Sequence, residues 1–379
     1  MSALLSVEIA GFDHGPLELA VYAGGWMLGW LLLWKPLPLS SMSSMSSMSS
    51  RAEVSPSVER PGVAVVIPAR NEAHGLANLL RPLVAQRRSG DRILVVDDHS
   101  TDGTARVARA FEVDVVTPPP PGDGWLGKPN ACWFGASVTD QATLVFLDAD
   151  VRPGPTLLDD LAAAVGDDPD ALVSMQPWHR METVGEQPSI LCNITALMGC
   201  GAFTIAPRVT SSNVAFGPVI AVDRVAYERC GGHGAPSVRS MHTEDIGLAR
   251  AVGRSRLANG SPATTTFRMY PGGFAELVRG WTRSIATGAR FTRWWVGLAV
   301  ALWMCSVAGG WLAAPIVYPL TAVQIWVLGR RAGTMHPVAA AMFPLLVVVF
   351  VVIFVRSVVA VLLRRDVTWK GRQVGARTG

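Results

Sequence analysis

The sequence predicts an α/β protein in which a doubly wound, Rossmann-like domain is joined to about four transmembrane helices. Three observations lead to this fold class. Short apolar runs alternate with helical segments between residues 62 and 273, which is the pattern of a parallel sheet covered by helices. Long apolar segments lie near both ends of the chain. The 379 residues are 50% hydrophobic and only 16% charged, which is a low charged fraction for a purely soluble protein.

The N-terminal apolar segment, residues 19–33, is long enough to cross a bilayer if its flanking residues lie at the interface. Acidic residues precede it and Lys35 follows it, so the positive-inside rule places the N-terminus outside the cell and Lys35 in the cytosol. Residues 1–39 are therefore predicted to be a transmembrane anchor. The Ser/Met-rich repeat that follows cannot bury a core, which indicates a flexible linker over residues 40–61.

Residues 62–273 are predicted to form a globular domain. Its apolar runs are short and continuous, as in parallel strands buried on both faces. Residues 190–205 are interrupted by polar side chains and are short for a membrane span, so a buried or interfacial helix is predicted there. The other predicted elements are strands at 63–68, 92–96, 113–116, 144–147, 172–176, 213–222 and 263–270, and helices at 73–86, 103–111, 129–138, 155–165 and 244–252.

The last hundred residues have the character of a membrane protein. Residues 274–293 interleave aromatic and basic side chains, which indicates an interfacial amphipathic segment, although an amphipathic helix packed on the domain has the same pattern. Residues 294–363 are predicted to hold three spans, with Pro315 at a turn between the first two. Three spans that start in the cytosol put the basic tail, 364–379, outside, whereas the positive-inside rule puts it inside. Either one of the three apolar segments is re-entrant, or the basic tail is an exception to the positive-inside rule.

Charge and cysteine content exclude some classes of function. The net charge of +4 is modest, and the basic residues lie near the apolar segments, which suits anionic lipid and predicts no nucleic-acid partner. The five cysteines have no C-x-x-C spacing and suggest neither a zinc site nor a disulfide framework. They are predicted to be buried small apolar residues in a reducing compartment.

The strongest candidate site follows the predicted strand 144–147. Asp148 and Asp150 are one residue apart, so in an extended segment both side chains point to the same side. They lie at the carboxyl end of a strand, where open α/β sheets bind ligands. Two converging carboxylates suit Mg²⁺ or Mn²⁺ shared with a phosphate group. The alternative for this pattern alone is a strand end followed by a solvated turn.

Other polar residues are predicted to reach the same edge of the sheet. Asp97 and Asp98 end a second strand and can accept hydrogen bonds from a base or ribose, while Arg70 or Lys128 can pair with phosphate. A metal held by Asp150, with Asp148 beside it, stabilises a departing nucleoside diphosphate. Thr243-Glu244-Asp245 opens a helix, and Asp245 is the candidate general base, with Glu244 second. The alternative for these three residues is a helix N-cap with favourable first-turn acids.

These residues lie in stretches that resemble the motifs of family 2 glycosyltransferases, which have a GT-A fold. The stretches are 66–72 (VIPARNE), 96–104 (VDDHSTDGT) and 148–150 (DAD). The resemblance implies that Asp97, Asp98 and Asp148 bind a UDP-sugar, that Asp150 binds the metal and that Asp245 acts as the base. We assign nucleotide-sugar binding to Pro68, Arg70, Glu72, Asp97, Asp98, Lys128 and Asp148, metal binding to Asp150 and Asp148, catalysis to Asp245 and Glu244, and the acceptor side to Trp281 and Arg283.

Further stretches resemble one branch of that family, the 4,4'-diaponeurosporenoate glycosyltransferases of carotenoid pathways. They are 124–132 (GWLGKPNAC), 174–179 (SMQPWH), 215–219 (AFGPV), 267–270 (FRMY), 280–282 (GWT), 287–289 (TGA) and 369–373 (WKGRQ). Processive polysaccharide synthases carry Q-x-x-R-W, but Leu277 and Gly280 stand at the corresponding positions before Trp281, which argues against a polymerase.

The sequence therefore predicts a membrane-bound, inverting glycosyltransferase whose catalytic domain is cytosolic. It is predicted to move a sugar, with glucose as the expected one, from a UDP-sugar to a lipid acceptor such as a carotenoid or another isoprenoid, with Mg²⁺ or Mn²⁺ as cofactor. A carotenoid carboxylate is already ionised near neutral pH and needs no general base. Because the sequence offers a candidate base, a hydroxylated or phosphorylated isoprenoid remains an alternative acceptor. The alternatives are a polyprenyl-phosphate sugar synthase, a nucleotidyltransferase and an inactive membrane scaffold of the same fold.

Overall fold

The computed structural model describes residues 8–9, 12–13, 15–43, 60–363, 367–369 and 372–374. The start of the predicted anchor, most of the predicted linker and most of the basic tail lie outside the described residues. The chain divides into two compact units. We call them the helical unit, which is Met1–Pro36, His179–Ser212 and Tyr270–Leu363, and the sheet unit, which is Leu37–Trp178, Asn213–Met269 and Arg364–Gly379.

Helices and strands alternate along the sheet unit, whereas helices dominate the helical unit. The helices are α1 Pro16–Leu32, α2 Ser40–Ser43, α3 Leu76–Gln86, α4 Thr104–Arg109, α5 Gly127–Ser137, α6 Leu157–Asp167, α7 Ser189–Gly199, α8 Pro207–Thr210, α9 Arg224–Arg229, α10 Pro236–Arg239, α11 Glu244–Val252, α12 Phe274–Ala289, α13 Trp294–Ala313, α14 Val317–Ala332, α15 Pro337–Ala341 and α16 Phe343–Leu362. The strands are β1 Glu8–Ile9, β2 Phe12–Asp13, β3 Val63–Ala69, β4 Arg92–Asp97, β5 Asp114–Val116, β6 Thr143–Leu147, β7 Val151–Arg152, β8 Leu172–Gln176, β9 Trp178–His179, β10 Val219–Asp223, β11 Ser255–Asn259, β12 Thr266–Phe267, β13 Val367–Trp369 and β14 Arg372–Val374.

The central sheet of the sheet unit has seven strands in the order β11-β8-β10-β6-β3-β4-β5. β3, β4, β5 and β6 are parallel, as the sequence predicts. The prediction of a wholly parallel sheet is wrong, because β10 lies antiparallel to both β6 and β8. The sequence also fails to predict β11, since its first residues, Ser255 and Arg256, are polar and interrupt the apolar run that marks a buried strand.

Two other sequence predictions are too long. The predicted strand 213–222 is observed only as β10, because Gly217 and Pro218 directly precede it and disfavour a regular ladder. The predicted strand 263–270 contributes only β12, which pairs antiparallel with β7. In the helical unit, the predicted helix within 190–205 is observed as α7, and nearly all of its residues are buried.

Alternate residues of β3 enter cores on the two faces of the sheet. Val65 and Ile67 pack in one core with apolar residues of α3 and α6. Ala64 and Val66 pack in the other with residues of α5 and α11. Helices therefore cover both faces, as the sequence predicts.

The strand register determines which loops meet at the carboxyl edge of the sheet. Ala69 at the end of β3 is paired with Asp97 at the end of β4, and Val66 is paired with Phe146 of β6. The loops that follow these three strands therefore lie side by side. In open α/β sheets this edge is where ligands bind.

Two helices of the helical unit, α13 and α16, are long and apolar enough to cross a membrane by length and composition. The other two predicted spans fall on α1 and α14, whose 17 and 16 residues are too few to qualify, so the described residues contain two candidate spans where the sequence predicts about four. Pro315 lies between α13 and α14, where the sequence predicts a turn. The predicted interfacial segment forms the helix α12.

Within the helical unit, α14 and α16 start at the same end. The Tyr318 hydroxyl, at the start of α14, donates to the Ala341 carbonyl (2.5 Å), and the rings of Tyr318 and Phe343 lie 4.8 Å apart. Near the other end of α16, Ser357 Oγ accepts a hydrogen bond from the N–H of Ala286, shortly before α13 begins. Residues 333–341 therefore run back along α14, so that α14 and α16 point in the same direction.

Gly25 in α1 allows close packing against α13. A β-carbon at Gly25 would lie 2.7 Å from the Leu302 carbonyl oxygen and 2.8 Å from Ser306 Cβ. We expect Gly25→Ala to destabilise the helical unit by about 1–3 kcal/mol, since the overlap involves backbone that moves only with the whole helix. The measurement is the thermal unfolding of the protein in detergent.

The neighbouring Gly24 provides a matched control. A β-carbon at Gly24 meets no described atom within 4 Å. Gly24→Ala is therefore expected to be neutral or to stabilise α1 slightly, because alanine favours a helix. Equal losses of stability in the two variants would contradict the packing argument.

Candidate active site

The loops that follow β3 and β4 at the carboxyl edge of the sheet are joined by hydrogen bonds. Asn71 after β3 and His99 after β4 have φ angles of 54° and 56°, a left-handed conformation that is uncommon for residues with a side chain. The backbone N–H of Asn71 donates to Ser100 Oγ (3.0 Å), and Asn71 Oδ1 accepts from the N–H of Thr101 (2.8 Å). Such backbone conformations cluster at functional sites, where the surrounding contacts hold them in place.

The predicted nucleotide-binding residues of these loops lie close together. Asp97 and Asp98 are both buried. Arg70 Nη1 donates to the Asp98 carbonyl oxygen (2.9 Å) and lies 3.4 Å from Asp98 Oδ2. Pro68 lies in β3, and the N–H of Glu72 donates to the hydroxyl of Thr104. Arg70 is thus fixed against the carboxylate pair by its contacts with Asp98.

Lys128, near the start of α5, links two elements that are distant in sequence. Its Nζ lies 2.7 Å from Asp148 Oδ1, after β6, and 2.8 Å from Glu244 Oε1, at the start of α11. Burial alone lowers the pKa of an ammonium group, but the two carboxylates outweigh it and raise the pKa of Lys128 well above its usual value. Lys128 is therefore a fixed positive charge in the centre of the site.

Two carboxyl groups of the site have raised pKa values. Burial, followed by repulsion from Asp148 and Glu72, raises the pKa of Asp150 to about 8. Burial, followed by repulsion from Glu244, raises the pKa of Asp245 to about 7. A carboxyl group that titrates near neutral pH is suited to acid–base catalysis.

Thr243 directly precedes α11 but does not cap it with its side chain. Its Oγ1 is buried and has no hydrogen-bond partner in the part of the chain that the structure describes. Glu244 pairs with Lys128 and is 5% exposed. The N-cap alternative for these residues is therefore not what the structure shows, because the acids at the start of α11 face the charged cluster.

Gly217 is a site residue to which the sequence assigns no role. A β-carbon at this position would lie 3.4 Å from Asp245 Oδ2 and 3.5 Å from Lys128 Nζ. The absence of a side chain leaves room beside both charged groups. The next residue, Pro218, accepts a hydrogen bond from the N–H of Asp148 (3.0 Å). The available signal in the sequence is the Gly-Pro pair just before β10, which marks a turn.

The donor set at Asp148 and Asp150 fits a hard divalent cation. Both are carboxylates, and their mutual repulsion, which raises the pKa of Asp150, is the kind that a bound cation relieves. Within residues 15–41 and 60–363, no group of three or more His, Cys, Asp or Glu is arranged to hold a metal ion. A cation bound here would therefore need further ligands from phosphate or water, as Mg²⁺ commonly does.

The predicted acceptor-side residues, Trp281 and Arg283, belong to α12 in the helical unit. Trp281 is buried, its Nε1 donates to Ser189 Oγ (2.7 Å), and its ring packs edge-on against Tyr270. These contacts fix Trp281 within its own unit. The acceptor-side role of both residues stays a prediction.

His233 packs beneath the site. Its burial makes one contribution to the stability of the fold depend on pH. Its ring lies 4.7 Å from that of Phe146, and its Nδ1 lies 3.0 Å from the Tyr227 hydroxyl. Burial, with repulsion from Lys128, lowers the pKa of His233 to about 3. Because protonation of this ring then favours the unfolded chain, the contribution of His233 to stability is fully present above pH 6.5 and decreases below it, by about 2 kcal/mol at pH 5.

The measurement is the urea midpoint of unfolding between pH 7.5 and 5. His233→Gln lacks this contribution, so the midpoint of the variant relative to that of the unchanged protein is expected to rise as the pH falls, even if the variant is less stable at pH 7.5. Exposed His74, changed to Gln, is the matched control. The same pH slope in the His233 variant as in the unchanged protein would contradict the assignment.

The chain belongs to glycosyltransferase family 2: residues 64–214 match the family model "Glycosyl transferase family 2", and relatives of at least 30% identity align with most of its length. Two of these relatives are 4,4'-diaponeurosporenoate glycosyltransferases. That of Staphylococcus haemolyticus (strain JCSC1435) is 30% identical over 336 residues, and that of Staphylococcus aureus (strain USA300) is 31% identical over 334. Each alignment covers 82% of this chain and 88% of the relative.

The fold is similar to that of a mannosyltransferase from Pyrobaculum calidifontis solved in complex with GDP-Man and Mn²⁺. The TM-score is 0.54 at 16% sequence identity, and the match covers 92% of this chain and 98% of the other. This likeness shows the fold alone. Together with the family match, it identifies the mixed central sheet and its helices as a GT-A-like α/β fold.

Proposed function

We propose that this chain is a membrane-bound, inverting glycosyltransferase that moves glucose from UDP-glucose to a carotenoid acid or another isoprenoid lipid. The observation that carries the proposal is the charged cluster at the carboxyl edge of the sheet, where Lys128 contacts both Asp148 and Glu244. The acceptor class rests on the relatives, whose names give 4,4'-diaponeurosporenoate as the substrate of those proteins.

The residues of the site divide into donor and acceptor roles. In this proposal, buried Asp97 and Asp98 accept hydrogen bonds from the nucleoside, and Lys128 offers a positive charge to the phosphates. A divalent cation, when bound by Asp148 and Asp150, supplies further positive charge for the departure of UDP. Gly217 leaves space beside Asp245 for an acceptor oxygen.

Inversion follows from a single displacement at the anomeric carbon. The acceptor oxygen forms the new bond on the face opposite the bond to UDP, which breaks and leaves its electron pair on the diphosphate. With a hydroxyl acceptor, Asp245 takes the proton, and its pKa of about 7 suits that step. With a carboxylate acceptor no proton has to be removed.

The membrane location is supported by the helical unit. α13 and α16 meet the length and composition of spans, and α16 exposes large apolar side chains along its length, including Val348, Val355 and Leu362. Lys35, which follows α1 in the sequence, supports the proposed cytosolic position of the catalytic residues through the positive-inside rule.

The test is UDP release by detergent-solubilised protein with Mn²⁺ or Mg²⁺. UDP-glucose and other UDP-sugars serve as donors, and 4,4'-diaponeurosporenoate, its alcohol and a polyprenyl phosphate serve as acceptors. We expect acceptor-dependent UDP release that Asp150→Ala abolishes. The absence of release with every donor and acceptor would refute the proposal, and release only with polyprenyl phosphate would replace the acceptor class.

A further inference from the structure

The helical unit presents a compact loop, residues 200–212, that the proposed reaction does not use. The carbonyl oxygen of Cys200 accepts a hydrogen bond from the N–H of Ser212 (2.9 Å), so the two ends of the loop lie together. The hydroxyl of Thr210 donates to the Gly201 carbonyl (2.7 Å) and contacts the Thr204 hydroxyl (2.6 Å). The segment is therefore an Ω-loop closed by its own side chains, a type of loop that is frequently functional.

The tip of this loop combines apolar and cationic side chains. Ile205 and Val209 are 57% and 63% exposed, and Arg208 between them is also exposed. Arg208 has no acidic partner in the part of the chain that the structure describes. The hydrogen bonds within the loop hold two large apolar side chains in contact with water. This exposure has an unfavourable free energy unless another surface covers those side chains.

The loop is attached where the proposed spans begin or end. The N–H of Ile205 donates to the Leu31 carbonyl near the end of α1, and Arg293 Nε donates to the Ser211 carbonyl (2.8 Å) just before α13. Trp294, the first residue of α13, is 75% exposed, and the Arg293 guanidinium lies over the ring of Trp295 (5.3 Å). Exposed tryptophan next to a basic residue at a span end is typical of the membrane–water interface.

We propose that the tip of the 200–212 loop docks into the interface of an anionic lipid leaflet, with Ile205 and Val209 among the acyl chains and Arg208 at the phosphate groups. Charge complementarity favours anionic lipid as the partner, because this region has three exposed cations without acidic partners among the described residues. They are Lys35, Arg208 and Arg293. Apolar burial and attraction to anionic lipid act together in such surfaces. The inference rests on the proposed membrane location but not on sugar transfer.

The experiment places an environment-sensitive nitrobenzoxadiazole probe on Val209→Cys in the full chain, in a Cys230→Ser, Cys305→Ser background. The protein is reconstituted into vesicles of phosphatidylcholine and phosphatidylglycerol (7:3) or of phosphatidylcholine alone, with or without lipid that carries a doxyl quencher near the head group. Val225→Cys, at a similarly exposed valine of α9, is the matched control. We expect the emission of the probe at position 209 to be blue-shifted and most of its fluorescence to be quenched by the doxyl lipid. We expect neither effect at position 225.

Arg208→Glu tests the choice of lipid. We expect it to weaken docking on the anionic vesicles by at least about fivefold, the effect of one basic residue at such a surface, and to remove the difference between the two lipid mixtures. Blue-shifted emission that lipid does not quench would show a protein contact and overturn the proposal, as would equal quenching at positions 209 and 225. Protein that fails to float with the vesicles would instead contradict the membrane location itself.

Discussion

Asp245→Asn is expected to slow sugar transfer to a hydroxyl acceptor by about 10²–10⁴-fold, which is the usual contribution of general-base catalysis. The carboxyl group of Asp245 is buried, and its pKa is raised to about 7. Asparagine keeps the shape of the side chain but cannot take a proton. The measurement is kcat for transfer from UDP-glucose to the alcohol that corresponds to 4,4'-diaponeurosporenoate.

The same variant also identifies the natural class of acceptor. With the carboxylate acceptor we expect a much smaller loss, because that nucleophile is already ionised. In the unchanged enzyme, transfer to the alcohol should rise with pH through about 7, as Asp245 loses its proton, whereas transfer to the carboxylate should lack this step. Thr243→Val is the control for changes near the start of α11. Equal losses with both acceptors would show that Asp245 positions the substrates and does not act as a base.

Lys128→Met is expected to destabilise the sheet unit by roughly 2–4 kcal/mol, somewhat below the range for fully buried ion pairs. Lys128 keeps 24% of its side chain exposed, so solvent screens part of the loss. Without its ammonium, Asp148 and Glu244 would face each other and Asp245 with no positive charge between them. The measurement is the denaturant midpoint of the purified protein at pH 7.5 without metal.

A second change on the same residues separates charge from packing. Glu244→Gln in the Lys128→Met background removes one of the unpaired carboxylates and is expected to restore a substantial part of the lost stability. Pairs in direct contact are those for which such non-additive behaviour is expected. A double variant that is no more stable than Lys128→Met alone would mean that the loss in Lys128→Met does not come from the carboxylates left unpaired.

The local features of the site could be predicted from the sequence. Asp148 and Asp150 follow an apolar run whose length and composition mark a strand, and Asp97 ends another such run. Parallel neighbours place the carboxyl ends of their strands at one edge, so the two pairs of acids were expected to meet. The observed register of β3 with β4 and β6 agrees with that expectation.

The long-range pairings could not be predicted in the same way. Nothing in the local sequence of Lys128 specifies that its two partners are Asp148 and Glu244, because the contact depends on how α5 and α11 pack on the sheet. The direction of β10 is equally hidden, since an apolar strand has the same pattern whichever way it runs. Gly217 becomes informative only when its two charged neighbours are known.

For the membrane-bound enzyme proposed above, the common direction of α14 and α16 has a consequence for topology. Because residues 333–341 return to the starting end of α14, Leu362 lies at the end of the bundle to which α14 also runs. Arg330 and Arg331 lie at this end, in the last turn of α14, and the positive-inside rule would keep it in the cytosol of the proposed membrane-bound enzyme. Exporting positive charge against an inside-negative potential costs about 2.3 kcal/mol per charge for every 100 mV. In that membrane-bound form, the return segment would leave the ends of α14 and α16 on the side of the bilayer where these arginines lie.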